Sequence, residues 1–178
     1  MSGYCRIAPG HPVHHGYHAT EYGFPSADET VLFERLCLEI MQAGLSWELV
    51  LKRREGMREA FAGFAVDAVA AMGPVDEARL LADARIIRNR LKVAAIIENA
   101  RRIQVLRDSH GSFAAWLNAQ HPLDKPAWVK LFGKTFKFTG GEIVGEFLMS
   151  LGYLPGAHAE DCPVHKRILK ARPPWLRR

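Results

Sequence analysis

This sequence predicts an all-helical fold. Three observations carry that expectation: helix start and stop signals recur along the chain, apolar residues return at spacings of three and four, and strand-like alternation is almost nowhere found. With 178 residues, 48% hydrophobic and 24% charged, the chain has globular composition and enough length for one domain, or for two small lobes sharing one core. We expect a single unit of two helical lobes over 1–165. Beyond it, 166–178 carries six Lys or Arg and no acid, and reads as a basic, solvated tail.

The first helix signal is Ser26-Ala27-Asp28-Glu29, which reads as a capping box in which the Ser26 hydroxyl and the Glu29 carboxylate each satisfy a free backbone N–H. A helix then runs to about Ala43, with Leu32, Phe33, Leu36, Ile40 and Met41 on one face. Cys37 falls among them and reads as a small buried residue. Gly44 ends this helix, Ser46 caps a second one through Lys52-Arg53-Arg54, and Asp67 caps a short third one. Further helices are expected after Pro74 and after Arg88. In the latter, Val93, Ile96, Ile97, Ala100 and Ile103 form a stripe from which Glu98, Arg101 and Arg102 face away. Ser112 caps a helix carrying Trp116.

Pro126 suits the first turn of a helix carrying Trp128, Val129, Leu131 and Phe132, and another helix runs from about residue 142 to 151. Between them, residues 134–141 are too few for a domain linker and end in Gly140 and Gly141 at a helix start. This is a helix–hairpin–helix arrangement, in which glycine permits close backbone approach and the free N–H groups of the helix face an anion such as phosphate. Lys134, Lys137, Thr139, Gly140 and Gly141 are therefore candidate DNA-binding residues; the competing reading is an ordinary tight loop between packed helices.

A formal net charge of +5 and a pI near 9.3 suit a polyanionic partner without specifying one. No stretch approaches the roughly 20 apolar residues of a spanning helix, so we expect a soluble cytoplasmic protein with no membrane partner. The three cysteines lack the density of a secreted disulfide framework, which favours reduced thiols or metal ligands. Cys5 and His18 stand near one end of the chain, and His158 and Cys162, four residues apart, near the other. Two thiolates and two imidazoles suit tetrahedral Zn2+, and four protein ligands leave no open position, as in a structural site. His11, His14, His15 and His165 compete for the same role.

A family resemblance then emerges from residues spread along the chain. Tyr17-His18, Glu21, Gly23, Leu38-Glu39, Gln42-Ala43-Gly44-Leu45-Ser46-Trp47, Lys52-Arg53-Arg54-Glu55 and Ile86-Ile87-Arg88-Asn89-Arg90 together resemble the 3-methyladenine DNA glycosylase I family. The Cys5 and His18 pair, the Phe136-Lys137-Phe138-Thr139-Gly140 hairpin and the spacing of His158 to Cys162 follow in the family's order. The resemblance implies a helix–hairpin–helix DNA glycosylase fold with one structural zinc joining the N- and C-terminal segments. It implies base flipping from double-stranded DNA containing alkylated bases, followed by hydrolysis of the N-glycosidic bond of an alkylated purine such as N3-methyladenine. By resemblance Glu39 is the catalytic carboxylate and Tyr17, Trp47, Tyr22 and His14 contact the base. From the residues alone, the favoured readings are Glu39 as an exposed partner of Arg35, Trp47 as a core aromatic and Tyr17 as a packing residue.

The departures from the family pattern cluster where the pocket is expected. Ile7 replaces a tryptophan, His14 a tyrosine, and Tyr17-His18-Ala19-Thr20-Glu21-Tyr22-Gly23 stands where the family has Tyr-His-Asp-x-Glu-Trp-Gly. These changes remove aromatic surface. The alternative function is therefore a damage-recognising DNA-binding protein of the same fold with weak or no excision; a helical regulator ranks third, because no segment offers a convincing base-reading helix. A monomer is expected.

Overall fold

A computed structural model describes residues 3–177, and among them every regular element is helical. The central element is α3 (Glu29–Gln42), in which every residue from Leu32 to Met41 is buried. Its opening differs from the expected box. Asp28 is the cap: its Oδ1 accepts from the Thr30 and Val31 amides at 2.9 and 3.3 Å, while Ser26 Oγ only accepts from the Asp28 amide. An ionised carboxylate suits the positive end of a helix better than a hydroxyl does. Glu29 is instead drawn to Arg107 and the Phe113 amide.

Around α3 pack α4 (Trp47–Ala60), α5 (Val66–Ala70), α7 (Arg90–His110), α8 (Phe113–Gln120) and α10 (Gly141–Ser150). Ser46 caps α4, Asn89 caps α7 and Ser112 caps α8, each through a side-chain oxygen. The expected Asp67 cap is not formed. Asp67 lies inside the first turn of α5 and binds Gln104 and Arg107 of α7 at 2.9 and 2.6 Å, a tertiary tie that sequence spacing does not reveal. α6 (Pro74–Ala82) packs on α7, whose stripe of Val93, Ile96, Ile97, Ala100 and Ile103 is fully buried.

The hairpin joins α9 (Lys125–Thr135) to α10. Buried Asn99 on α7 holds it with both ends of one amide: Oδ1 accepts from the Lys137 amide at 2.7 Å and Nδ2 donates to the Lys137 carbonyl at 3.0 Å. Two short helices, α1 (Gly3–Ile7) and α2 (His15–Thr20), lie near α11 (Pro163–Lys170), because Cys5, Cys162, Val164 and Ile168 share a small core of their own. The boundary expected between residues 165 and 166 thus falls inside α11. Its Val164 and Ile168, four apart, make a buried face, and Arg167 donates to the Ala19 carbonyl at 2.9 Å. Beyond it, the Trp175 amide donates to the Gly152 carbonyl; Arg178 of the expected tail lies outside the described residues. No described helix is long and apolar enough to cross a membrane.

Candidate functional site

Gly44, at φ +78°, turns the chain sharply at the end of α3, and the Ser46 cap then starts α4 on Trp47. Lys92 fixes this turn. Its buried ammonium donates to the carbonyls of Met41 at 2.9 Å and Ala43 at 2.5 Å, the last carbonyls of a helix whose negative end favours a cation. The turn, the α1–α2 segment and the start of α10 enclose an open cleft of about 1020 Å³.

Glu39, Tyr17, Trp47, Tyr22 and His14 all line this cleft. Tyr17 has its ring centroid 5.1 Å from that of Trp47 and 5.7 Å from that of Tyr22. The Arg35 guanidinium stands over the Tyr17 ring at 5.0 Å, within cation–π range. Among the described residues the buried Tyr17 hydroxyl has no hydrogen-bond partner. Glu39 is only 4% exposed, and burial, reinforced by the charge of Glu146 and opposed by Arg35, pushes its carboxyl well above the usual carboxylate range. The exposed Glu39–Arg35 pair that helical spacing allowed is absent. Arg35 bonds Glu21 at 3.0 Å instead, as part of a network in which Arg54 bridges Glu21 and Glu34, and Arg58 also bonds Glu34.

Of the hairpin residues, Gly140 and Gly141 border the cleft, whereas Lys134 and Lys137 are exposed outside it. No side chain caps the start of α10, so its first amides have no side-chain acceptor among the described residues. Thr139 Oγ1 is buried with no partner among the described residues. Glu142, in the first turn, leans on Lys125 at 3.4 Å.

Several cleft residues escaped the sequence reading. Tyr4 brings a ring to within 5.5 Å of His14 and 5.7 Å of Tyr22, so the aromatic surface lost at Ile7 is partly restored from another position. Ile7 itself is 60% exposed at the cleft. Glu146 also lines the cleft, and its signal was readable: a carboxylate beside the apolar run of Val144, Phe147 and Leu148, as Glu39 stands among Leu36, Leu38 and Ile40. Nothing in the sequence marks Lys92 or Asn99, whose partners are backbone groups of distant turns.

Behind the cleft, Cys5, His18, His158 and Cys162 are buried together, with one ligand atom from each within 4.8 Å of the others. His158 Nδ1 lies 3.6 Å from Cys5 Sγ and 3.5 Å from Cys162 Sγ, and Cys162 Sγ lies 3.9 Å from His18 Nε2. A tetrahedral ion with Zn–S near 2.3 Å and Zn–N near 2.0–2.1 Å sets S···N separations of about 3.5 Å, so the group can bind a metal. Burial holds the His18 imidazole down to about 4 and lowers His158 too, leaving neutral rings with lone pairs to give. The far nitrogen of His158, Nε2, donates to the Tyr22 carbonyl at 2.8 Å, the outer contact that orients a ligating histidine. Packing here is tight: at Gly23, φ +88°, an added Cβ would lie 2.7 Å from Ile168 Cδ1. Of the competing histidines, His11 and His14 group separately with Glu48.

Comparison with known proteins gives a consistent result. Residues 7–127 match the family described as methyladenine glycosylase. DNA-3-methyladenine glycosylase of Haemophilus influenzae is 33% identical over 92% of this chain and 98% of its own length. DNA-3-methyladenine glycosylase 1 of Escherichia coli is 52% identical over 97 residues, a match spanning 54% of this chain and only 52% of the relative. In structure, the chain superposes on 3-methyladenine DNA glycosylase I from Staphylococcus aureus with a TM-score of 0.80 and 31% identity, covering 90% of this chain and 95% of the other.

Proposed function

The chain belongs to the methyladenine glycosylase family, and from that premise we propose that it is a base-excision DNA glycosylase releasing N3-methyladenine from double-stranded DNA. The observation that carries this reading is a buried carboxylate, Glu39, set in an open cleft among the rings of Tyr17, Trp47 and Tyr22. A base turned out of the stack gains stacking from such rings. Alkylation at N3 leaves the base of the nucleotide cationic, which suits both the aromatic faces and a carboxylate. Burial makes ionised Glu39 costly, and a cation entering the cleft lowers that cost, so the substrate completes the charge balance of the pocket. As the N-glycosidic bond breaks, its electron pair quenches the charge on the departing base, and water adds to the sugar carbon. His14 stands at the cleft beside Tyr4 and helps bound the base.

The uncapped amides around Gly140 and Gly141 supply a phosphate site on the duplex, with Lys134, Lys137 and Thr139 beside it. Cys5, His18, His158 and Cys162 hold one Zn2+. Such an ion cross-links the segment bearing Tyr4, Tyr17 and Tyr22 to the C-terminal segment, a structural role that leaves the reaction to the cleft. The catalytic unit takes in α11 with the rest of the fold, and the exposed basic side chains of 166–177 add to the charge offered to DNA. We take the enzyme to act as a monomer in the cytoplasm, the compartment that suits the bacterial repair glycosylases it resembles.

Incubation with alkylated duplex DNA, followed by chromatography of the released bases, tests the assignment. We expect free N3-methyladenine. Tight binding of the damaged duplex with no base released would replace excision by damage recognition.

A further inference from the structure

Besides Glu39, three carboxylates line the cleft: Glu48 pairs with Lys52 and Glu142 with Lys125, which leaves Glu146 as the second one with no ion-pair partner among the described residues. Glu146 lies on α10, which packs directly on α3, so Glu146 and Glu39 enter one cleft from neighbouring helices. Glu146 is held in place: its Oε2 accepts a hydrogen bond from the Tyr22 hydroxyl at 2.8 Å, and Tyr22 is itself buried against Tyr17. Neither carboxylate has an ion-pair partner among the described residues, since the nearest cation over Tyr17, Arg35, is bonded to Glu21. In a chain of net charge +5 the cleft thus sets two carboxyl groups without a cation partner between aromatic faces.

We infer that Glu146, fixed by Tyr22, is a specificity-determining residue that makes the cleft, with Glu39, a two-carboxylate receptor selecting positively charged ring-alkylated bases over neutral ones. The charge of Glu146 is one of the causes that raise the buried Glu39 carboxyl, because a neighbouring negative charge disfavours a second one where solvent is excluded. A cationic base relieves that opposition. A neutral base of equal size gains the same stacking but leaves the repulsion in place, so the second carboxylate discriminates by charge where ring surface cannot.

The inference rests on the glycosylase reading for its biological setting, and the test separates the two. Equilibrium binding of a permanently cationic probe, 3,9-dimethyladeninium, and of neutral 9-methyladenine is measured by intrinsic tryptophan fluorescence, alongside excision from alkylated duplex. Native protein and Glu146→Gln are compared; the amide oxygen still accepts from Tyr22, so the fold is kept, as an unchanged Tm verifies. We expect a cation preference in the native protein that falls about tenfold or more in Glu146→Gln, with kcat/KM for N3-methyladenine falling in parallel and affinity for the neutral probe unchanged. Equal preference in both proteins overturns the inference, even with full excision by the native enzyme. A Glu146-dependent preference without excision upholds it and removes the glycosylase reading instead.

Discussion

Glu39 shows how much one side chain's meaning depends on its surroundings. Its spacing from Leu32, Leu36 and Ala43 placed it at the edge of an apolar face, where a solvated pair with Arg35 was as natural as a pocket carboxylate. Burial of α3 removes the solvated pair, because Glu39 is only 4% exposed and lines the cleft while Arg35 bonds Glu21. Glu39→Gln keeps the shape and loses the charge. It should lower excision of N3-methyladenine by roughly ten- to a hundred-fold, equivalent to about 1.5–3 kcal/mol, in single-turnover assays. Full activity in that variant removes the carboxylate from the mechanism. Tyr4, by contrast, had no sequence signal. Its ring reaches the cleft only because α1 folds against α2, where it stands 5.5 Å from His14 and from His18.

The hairpin was legible as an element, and its support was not. Two glycines at a helix start and a loop too short to link domains were enough to place it. Asn99 lies 38 residues away in sequence, and no local pattern connects it to Lys137. The structure also sharpens the reading of Gly140. Its φ is −75°, and an added Cβ meets nothing within 4 Å, so the fold itself does not require glycine there. Gly140→Val should therefore fold with an unchanged Tm yet bind every duplex more weakly, damaged or not, in fluorescence anisotropy at low salt. Native affinity in the folded variant dissociates the hairpin from phosphate binding.

Two tests address the molecule as a whole. Burial raises the Glu21 and Glu34 carboxyls, but hydrogen bonds and charge from Arg54, joined by the charge of Arg35 at Glu21 and by Arg58 at Glu34, together overcome it and hold both below their usual 4.5. Groups with depressed folded values stabilise fully above about 4.5, and that contribution is lost as pH falls through the folded values. Thermal melts should thus drop steeply below this pH. Glu34→Gln leaves Arg54 paired with Glu21 but removes the charged acceptor of Arg54 and Arg58; it should cost about 1.5–3 kcal/mol at neutral pH and flatten the acid limb. The second test concerns the paired chain ends. Cys162→Ala should abolish stoichiometric zinc in elemental analysis and lower Tm, by about 2–4 °C per kcal/mol lost. Unchanged melting sinks the metal clamp.

By itself the sequence determined the longer helices, the Ser46 and Ser112 caps, the hairpin and the grouping of candidate Cys and His ligands, because each rests on local spacing or on residue types with few uses. Only the tertiary structure decided which carboxylates face one cleft, that Arg35 serves Glu21, and that α11 packs beside the Cys/His group rather than trailing as a solvated tail. Those outcomes depend on contacts between residues far apart in the chain, such as Tyr22 with Glu146 or Cys5 with His158, and periodicity carries no information about which distant faces meet.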